Sequence, residues 1–385
     1  MSATRLVVFS LVILSLSTLL HAQVASRWIS LLRPSGSVLW GVRIAFSILF
    51  LTIPASFVLV RTGRTGWAAE IVSLVGYLWM GALFLLWVGT ISGTVSGWIL
   101  RGIARWGGWD AGPWVHSVHW GFQILALAGV VAAVVGGRSS PRIQEVQVSV
   151  PGLPRSFDGY RIAHVSDTHF SHLRGRRHAQ HLVDALDRAD ADLVVHTGDL
   201  ADGTVEALRD AVAPLAEIRS RDGKLFVRGN HEAYSGIASW TAEVRRLGWD
   251  VLVNEHRVLA RGEDSLHVAG ITDSHEAGAP GGVAPDPAKA LEGVPRGAAV
   301  ILLAHQPRQA LAARGMGVGL MLSGHTHGGQ IWPFHHLVPL QQPMLAGLGR
   351  LADVQTFVSR GAGTWGPPLR LFARSEIPVL VLRSL

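Results

Sequence analysis

The chain has 385 residues, a formal net charge of +7 and no cysteine. Disulfide frameworks and thiolate metal sites are therefore excluded. The positive charge is dispersed: Arg174, Arg176 and Arg177 form its densest patch without aromatic interleaving, so no nucleic-acid-binding face is expected.

Composition changes at Pro141. Before it, the only acidic residues are Glu70 and Asp110, and ten of the fourteen tryptophans fall in the first 120 positions, as suits rings at membrane–water interfaces. Four apolar stretches lie here: Leu6–Leu20, Val38–Val60, Trp67–Leu100 and Val118–Val135. A membrane-spanning helix needs about 20 apolar residues. The second and third stretches exceed that, the fourth just reaches it, and the first reads as an anchor or as a cleaved signal peptide. The expectation is a membrane domain of about four helices over residues 1–140. Arginine pairs flank the stretches almost evenly (Arg27 and Arg33, Arg61 and Arg64, Arg101 and Arg105, Arg138 and Arg142), so the positive-inside rule does not orient them. The span count favours a cytoplasmic position for the residues beyond Pro141, in a bacterial inner membrane. Few spans, no polar pair inside them and an isolated Arg43 argue against a transporter.

From Gln144 onward, short apolar runs alternate with amphipathic segments. Strands are predicted at Val146–Val150, Tyr160–Ser166, Leu193–Thr197, Leu225–Arg228, Leu266–Ile271, Val300–Ala304 and Gly319–Ser323, with late strands at Thr356–Ser359 and Val379–Leu382. Helices are predicted at His178–Arg188, Val205–Arg219, Ile237–Leu247 and Gln309–Arg314, and a surface loop at Gly278–Pro287. This alternation predicts a second domain over residues 141–385, an α/β sandwich with helices outside.

Five motifs follow these strands: Asp167-Thr168-His169, Gly198-Asp199-Leu200-Ala201-Asp202, Gly229-Asn230-His231-Glu232, His305 and Gly324-His325-Thr326-His327. Ligands in α/β sheets sit beyond the carboxyl ends of strands, so distant segments can converge on one face. Carboxylate, amide and imidazole together suit divalent manganese, iron or zinc. Asp167 and His169 alternate, as do His325 and His327, and extended backbone would point both members of each pair the same way. Asp199 carries two oxygens and can bridge two cations. His164 and His196 lie inside apolar strands and read as buried, hydrogen-bonded core residues. Asp273 and His275 read equally as pocket lining or loop. Gln330, Trp332, His335 and His336 follow the last motif and are candidates for substrate contact, while Arg360 and Arg370 read either as structural or as binding a phosphate or nucleotide group.

The five blocks, in this order, resemble the calcineurin-like metallophosphoesterase superfamily over roughly Val146 to Leu385. Gly324-His325-Thr326-His327-Gly328-Gly329-Gln330 and Ser359-Arg360-Gly361-Ala362-Gly363-Thr364-Trp365-Gly366 are similar to its membrane-associated bacterial subgroup, which also includes animal proteins with several transmembrane helices. The resemblance implies two central β-sheets flanked by helices, and two divalent metal ions. It implies Asp167, His169, Asp199 and His327 on one metal, and Asp199, Asn230, His305 and His325 on the other. His231 would face the substrate and Asp202 would orient it. A hydroxide held between the cations would attack phosphorus in line. Asp202 is followed by Gly203-Thr204 where the protein phosphatase branch has Arg-Gly, which turns the reading from phosphoproteins towards a phosphodiesterase or pyrophosphatase. The apolar helices favour a lipid-linked substrate, UDP-2,3-diacylglucosamine being the specific expectation. The alternatives are a broad phosphodiesterase for another phospholipid or nucleotide, and an inactive membrane sensor or scaffold.

Overall fold

The computed structural model describes the backbone of residues 3–61 and 66–385 and the side chains of residues 14–60 and 66–385. The side chains of Arg5 and Arg61, all of Arg64, and the side chains of the first apolar stretch up to position 13 lie outside the described residues. The chain forms two compact units, Met1–Arg138 with Gly366–Leu371, and Ser139–Trp365 with Phe372–Leu385.

Among the described residues the first unit contains four helices: α1 (Ala3–Leu32), α2 (Gly36–Arg61), α3 (Trp67–Gly107) and α4 (Gly112–Arg138). Among the described residues, α2, α3 and α4 are long and apolar enough to cross a membrane. α3 packs against the other three. Small residues permit that approach: Gly76 lies against Thr52 and Ser56 of α2, and Gly93 against His119 of α4. Arg27, expected in a loop, lies inside α1 and donates to Thr94 at 3.0 Å. Trp28 donates to Gln123 Oε1 at 2.9 Å, and Gln123 donates to Thr90 at 3.1 Å. The expectation of no polar pair among these helices is therefore wrong. The partners lie 33 to 95 positions apart, beyond the reach of helical periodicity.

The second unit holds twelve strands: β1 (Arg142–Ser149), β2 (Arg161–Val165), β3 (Leu193–His196), β4 (Lys224–Phe226), β5 (Asp250–Val251), β6 (Glu255–Arg261), β7 (Asp264–Gly270), β8 (Ala299–Leu303), β9 (Leu320–Ser323), β10 (Gly347–Leu351), β11 (Val354–Val358) and β12 (Glu376–Arg383). They form two six-stranded mixed sheets, in the orders β1-β12-β2-β3-β4-β5 and β10-β11-β9-β8-β7-β6. β2 to β5 are mutually parallel, as are β7, β8, β9 and β11.

Strand periodicity places the cores. Ile162, Leu193, Val195 and Leu225 of one sheet meet Val268, Ile301, Leu303 and Leu322 of the other. The intervening Ala163 and Val194 face outward onto a layer of helices α5 (Arg176–Ala189), α6 (Val205–Val212) and, beyond the short α7 (Asn230–Ser235), α8 (Ile237–Arg246). Val300, Leu302 and Met321 face the opposite layer, with Ala290 of α9 (Pro287–Ala290), Ala310 and Ala313. Central strands buried on both faces are continuously apolar, which is why the sequence shows them.

β5, β6 and β10 were not expected, and all three are sheet edges. β5 has two residues, β6 is mostly polar and β10 contains two glycines, so none carries a buried-strand pattern. The predicted helix Val205–Arg219 ends early, turning 3₁₀ at Ala213–Glu217 around Pro214. The predicted helix Gln309–Arg314 is a 3₁₀ segment over Pro307–Leu311.

Candidate metal centre

Each motif leaves the carboxyl end of a strand that is parallel to a neighbour. Asp167 and His169 follow β2, Asp199 and Asp202 follow β3, Asn230 and His231 follow β4, His305 follows β8, and His325 and His327 follow β9. The two sheets meet through these loops: His325 N donates to Asp167 Oδ2 at 3.0 Å, and His305 Nδ1 lies 2.7 Å from the Thr197 carbonyl oxygen.

All nine expected residues come together. His305 Nε2 lies 3.1 Å from Asn230 Oδ1, 3.1 Å from His325 Nδ1 and 3.2 Å from Asp199 Oδ2. His169 Nε2 lies 3.1 Å from His327 Nε2 and 3.7 Å from Asp199 Oδ2. Three overlapping groups have ligand atoms within 4.8 Å of one another: Asp167, His169 and His327; His169, Asp199 and His231; and Asp199, His305 and His325. Asp199 is shared by the last two, which is the arrangement a bridging carboxylate requires.

The backbone differs from the expected one. Asp167, His169, Asp199, His325 and His327 have φ of 54°, 45°, 57°, 69° and 51°. Both Asp-x-His and His-x-His therefore aim their side chains through left-handed turns, not through extended alternation. Such conformations cost non-glycine residues about 1–3 kcal/mol each and persist where surrounding structure enforces them. Close approach contributes to that enforcement: a Cβ at Gly324 would overlap Ser166 Oγ and Asp167 Oδ2.

The hydrogen bonds fix the imidazole tautomers. The Thr197 carbonyl can only accept, so His305 Nδ1 is the donor and, in the neutral ring, Nε2 presents a lone pair. That lone pair faces an amide oxygen, a carboxylate oxygen and another imidazole nitrogen. His169 and His231 both direct Nδ1 at Asp202 Oδ1, at 2.8 and 2.6 Å, leaving both Nε2 atoms turned to the cluster. Acceptors facing acceptors in a buried space need a cation, and Asp167 and Asp199 are 0 % and 2 % exposed. The donor set fits two divalent metals.

Titration behaviour agrees. Burial drives the Asp167 carboxyl upward, with His305 opposing and Asp199 reinforcing it. Burial would raise Asp199 too, but His305 and His231 hold it well below its usual range. Burial would lower His305 and His231. The neighbouring carboxylates together outweigh it: Asp199 and Asp167 carry His305 well above the usual range, and Asp199 with Asp202 carries His231 to about 9. Carboxylates and imidazoles that must share protons to coexist are groups that give those protons up to solvent when metal binds.

The calcineurin-like phosphoesterase family model matches residues 160–329. A transmembrane protein with metallophosphoesterase domain from Bos taurus is 36% identical over 339 residues, covering 81% of this chain and 74% of that protein. The chain belongs to the calcineurin-like phosphoesterase family. A Danio rerio protein of the same description is 36% identical over 272 residues, 68% of this chain, and the chain spans 61% of that relative's length. An uncharacterized metallophosphoesterase of Campylobacter jejuni is 35% identical over 264 residues, 68% of each chain.

Other residues of this metallophosphoesterase site were not assigned from sequence. Glu232, the fourth residue of the third motif, is fully buried and accepts from three backbone amides: Gly229 at 2.6 Å, Leu200 at 2.8 Å and Asp199 at 3.1 Å. It ties the Asp199 and Asn230 loops together; its position inside a Gly-Asn-His-Glu run was the available signal. The Trp365 ring lies 6.3 Å from His231, edge to face, and Tyr234 lies 5.4 Å from His231. Gln330 brackets the Trp365 backbone with two 2.9 Å bonds, and Arg360 pairs with Glu376 at 2.8 Å. Asp273 is buried and holds His275 Nδ1 at 2.8 Å.

Proposed function

We propose that the chain is a membrane-anchored, dimetal phosphodiesterase or pyrophosphatase. The observation that carries this reading is the Asp202 carboxylate holding one candidate ligand, His169, and one open imidazole, His231, on the same oxygen. Asp167, His169, Asp199 and His327 would hold one manganese, iron or zinc ion, and Asp199, Asn230, His305 and His325 the other. When bound, the two cations supply charge neutralisation for the phosphoryl oxygens and lower the pKa of water.

The chain's own groups do the rest. Asp202 keeps the His231 proton on Nδ1 in the neutral ring and stabilises the doubly protonated ring, so Nε2 can donate to a phosphoryl oxygen or to the leaving oxygen. The His231 amide donates to Asp199 Oδ1 at 2.8 Å, which ties the substrate-facing imidazole to the shared carboxylate. Gly203 and Thr204 follow Asp202 and lead directly into α6, so that turn supplies no guanidinium for a phosphoprotein. Three long apolar helices favour a lipid-linked substrate, with UDP-2,3-diacylglucosamine as the specific candidate. The proposed setting is a bacterial inner membrane with the catalytic unit on the cytoplasmic side.

The decisive assay is hydrolysis of bis(p-nitrophenyl) phosphate by full-length protein with added manganese. Wild type is expected to turn over, with Asp199→Ala and His231→Ala each reduced at least about a hundredfold. No metal-dependent turnover across a phosphodiester panel would leave a sensor or scaffold as the reading. Release of UMP from UDP-diacylglucosamine in mixed micelles tests the substrate.

A further inference from the structure

Arg174 is an arginine without a carboxylate. Arg228 pairs with Glu276, Arg360 with Glu376, Arg161 with Glu145 and Arg383 with Asp158. Among the described residues, no carboxylate oxygen lies within 4.0 Å of the Arg174 guanidinium. Its hydrogen bond runs to a neutral hydroxyl, Thr364 Oγ1, at 2.5 Å. The side chain is partly buried. Burial lowers its pKa to about 10, with Asp202 opposing, so the charge persists at neutral pH.

The backbone on both sides is anchored to the metal centre. Asp202 N donates to the Phe170 carbonyl at 2.8 Å, and Ser171 and Arg174 close a turn through paired bonds of 3.0 and 3.2 Å. On the other side, Gly363 N donates to the Asp167 carbonyl at 2.8 Å, which sets Thr364 beside a candidate ligand. The next residue is Trp365, whose ring contacts His231. The guanidinium is thus held by the residue next to Trp365, the ring that contacts His231. Asp202 cannot serve as its full counter-ion, because its Oδ1 is already committed to His169 and His231. α5 begins two residues later with no side-chain cap, and its first residues are Arg176 and Arg177, so the surroundings add positive charge.

We propose that Arg174 and Thr364 form an anion subsite for a second phosphate of the substrate, adjacent to the phosphate that is cleaved. The substrate class is then a diphosphate diester. The guanidinium offers a planar fork to two phosphate oxygens, and Thr364 orients it. This inference rests on the phosphodiesterase or pyrophosphatase reading and narrows it.

The test uses full-length protein in detergent with manganese, bis(p-nitrophenyl) phosphate as substrate, and UDP-glucose, a soluble diphosphate diester, as competitor. Arg174→Gln is expected to raise the UDP-glucose inhibition constant about tenfold more than it raises the KM of the single-phosphate ester. Arg174→Lys keeps the charge without the fork and falls between. The subsite is overturned if the inhibition constant and KM shift together, if the inhibition constant moves less than about threefold, or if UDP-glucose does not compete at millimolar concentration. A Gln variant that no longer retains manganese has lost the whole site, and the Lys variant then decides by the same criteria. Failure of wild type to hydrolyse bis(p-nitrophenyl) phosphate sinks the parent reading and this one with it. Turnover without a selective loss sinks this one alone.

Discussion

Asp202 occupies an unusual position for a residue expected to orient one histidine. Its Oδ1 takes His169 Nδ1 at 2.8 Å and His231 Nδ1 at 2.6 Å, so one carboxylate holds both a candidate ligand and the ring proposed to face the substrate. Burial would raise this carboxyl, but His169 and His231 hold it below the usual carboxylate range. Removing an outer partner of a ligating histidine costs about 10–100-fold in metal affinity. Asp202→Asn should therefore lower manganese retention by that order and also cut kcat, because the amide disturbs both tautomers. His231→Gln should cut kcat while manganese retention stays near wild type. Metal content after dialysis, set beside kcat, separates the two; equal retention in both variants would show that Asp202 acts through His231 alone. Asp167 with His169, and His325 with His327, come together, but not through the expected extended alternation. Left-handed backbone at both pairs converges the side chains, and no sequence spacing encodes a φ of 45–69° at non-glycine positions.

At the level of elements, legibility followed burial. β2, β3, β8 and β9 are covered on both faces and read directly as apolar runs, and the motifs at their carboxyl ends could be placed with them. The edge strands β5, β6 and β10 have no such constraint. Contacts between elements were invisible for another reason. Arg174 meets Thr364 across 190 positions, and Glu232 reaches back 33 positions to the Asp199 amide. Glu232 shows what such a contact does. Three amides converge on its buried carboxylate, and burial followed by the Asp199 charge pushes its pKa up. Glu232→Gln would aim an amide NH₂ at backbone N–H donors, leaving buried groups unsatisfied at about 1–3 kcal/mol each. The expected result is a Tm lower by several degrees, together with weaker manganese binding through the displaced Asp199 loop. Differential scanning fluorimetry and a manganese titration check this; unchanged values for both would remove Glu232 from the support of the centre.

On the scale of the whole molecule, the catalytic unit stores acid sensitivity in its core. His164 is fully buried with Nε2 2.8 Å from Thr197 Oγ1, and burial lowers its pKa to about 3. His196 accepts from the Gly198 amide at 3.2 Å and lies 3.2 Å from Thr168 Oγ1; burial, then His164 and His305, lower it to about 3. Both rings stay neutral in the folded chain, whereas the unfolded chain takes up protons near pH 6.5. Folding stability is therefore unaffected by these groups above about pH 6.5 and falls as pH drops from there towards about 3. The limiting slope is about 1.4 kcal/mol per pH unit for each histidine. Protonated His196 would also lose the Gly198 amide, one residue before Asp199, so acid should loosen the metal loop before the rest of the sheet. Thermal unfolding of full-length protein in detergent and chelator, run from pH 8 to pH 5, should show a Tm that is flat above about 6.5 and falls below it. His164→Gln keeps a polar partner for Thr197 and removes one of the two titrations, so its Tm should decline less steeply with acid. Parallel wild-type and variant curves would mean that the acid sensitivity arises elsewhere, outside these two buried rings.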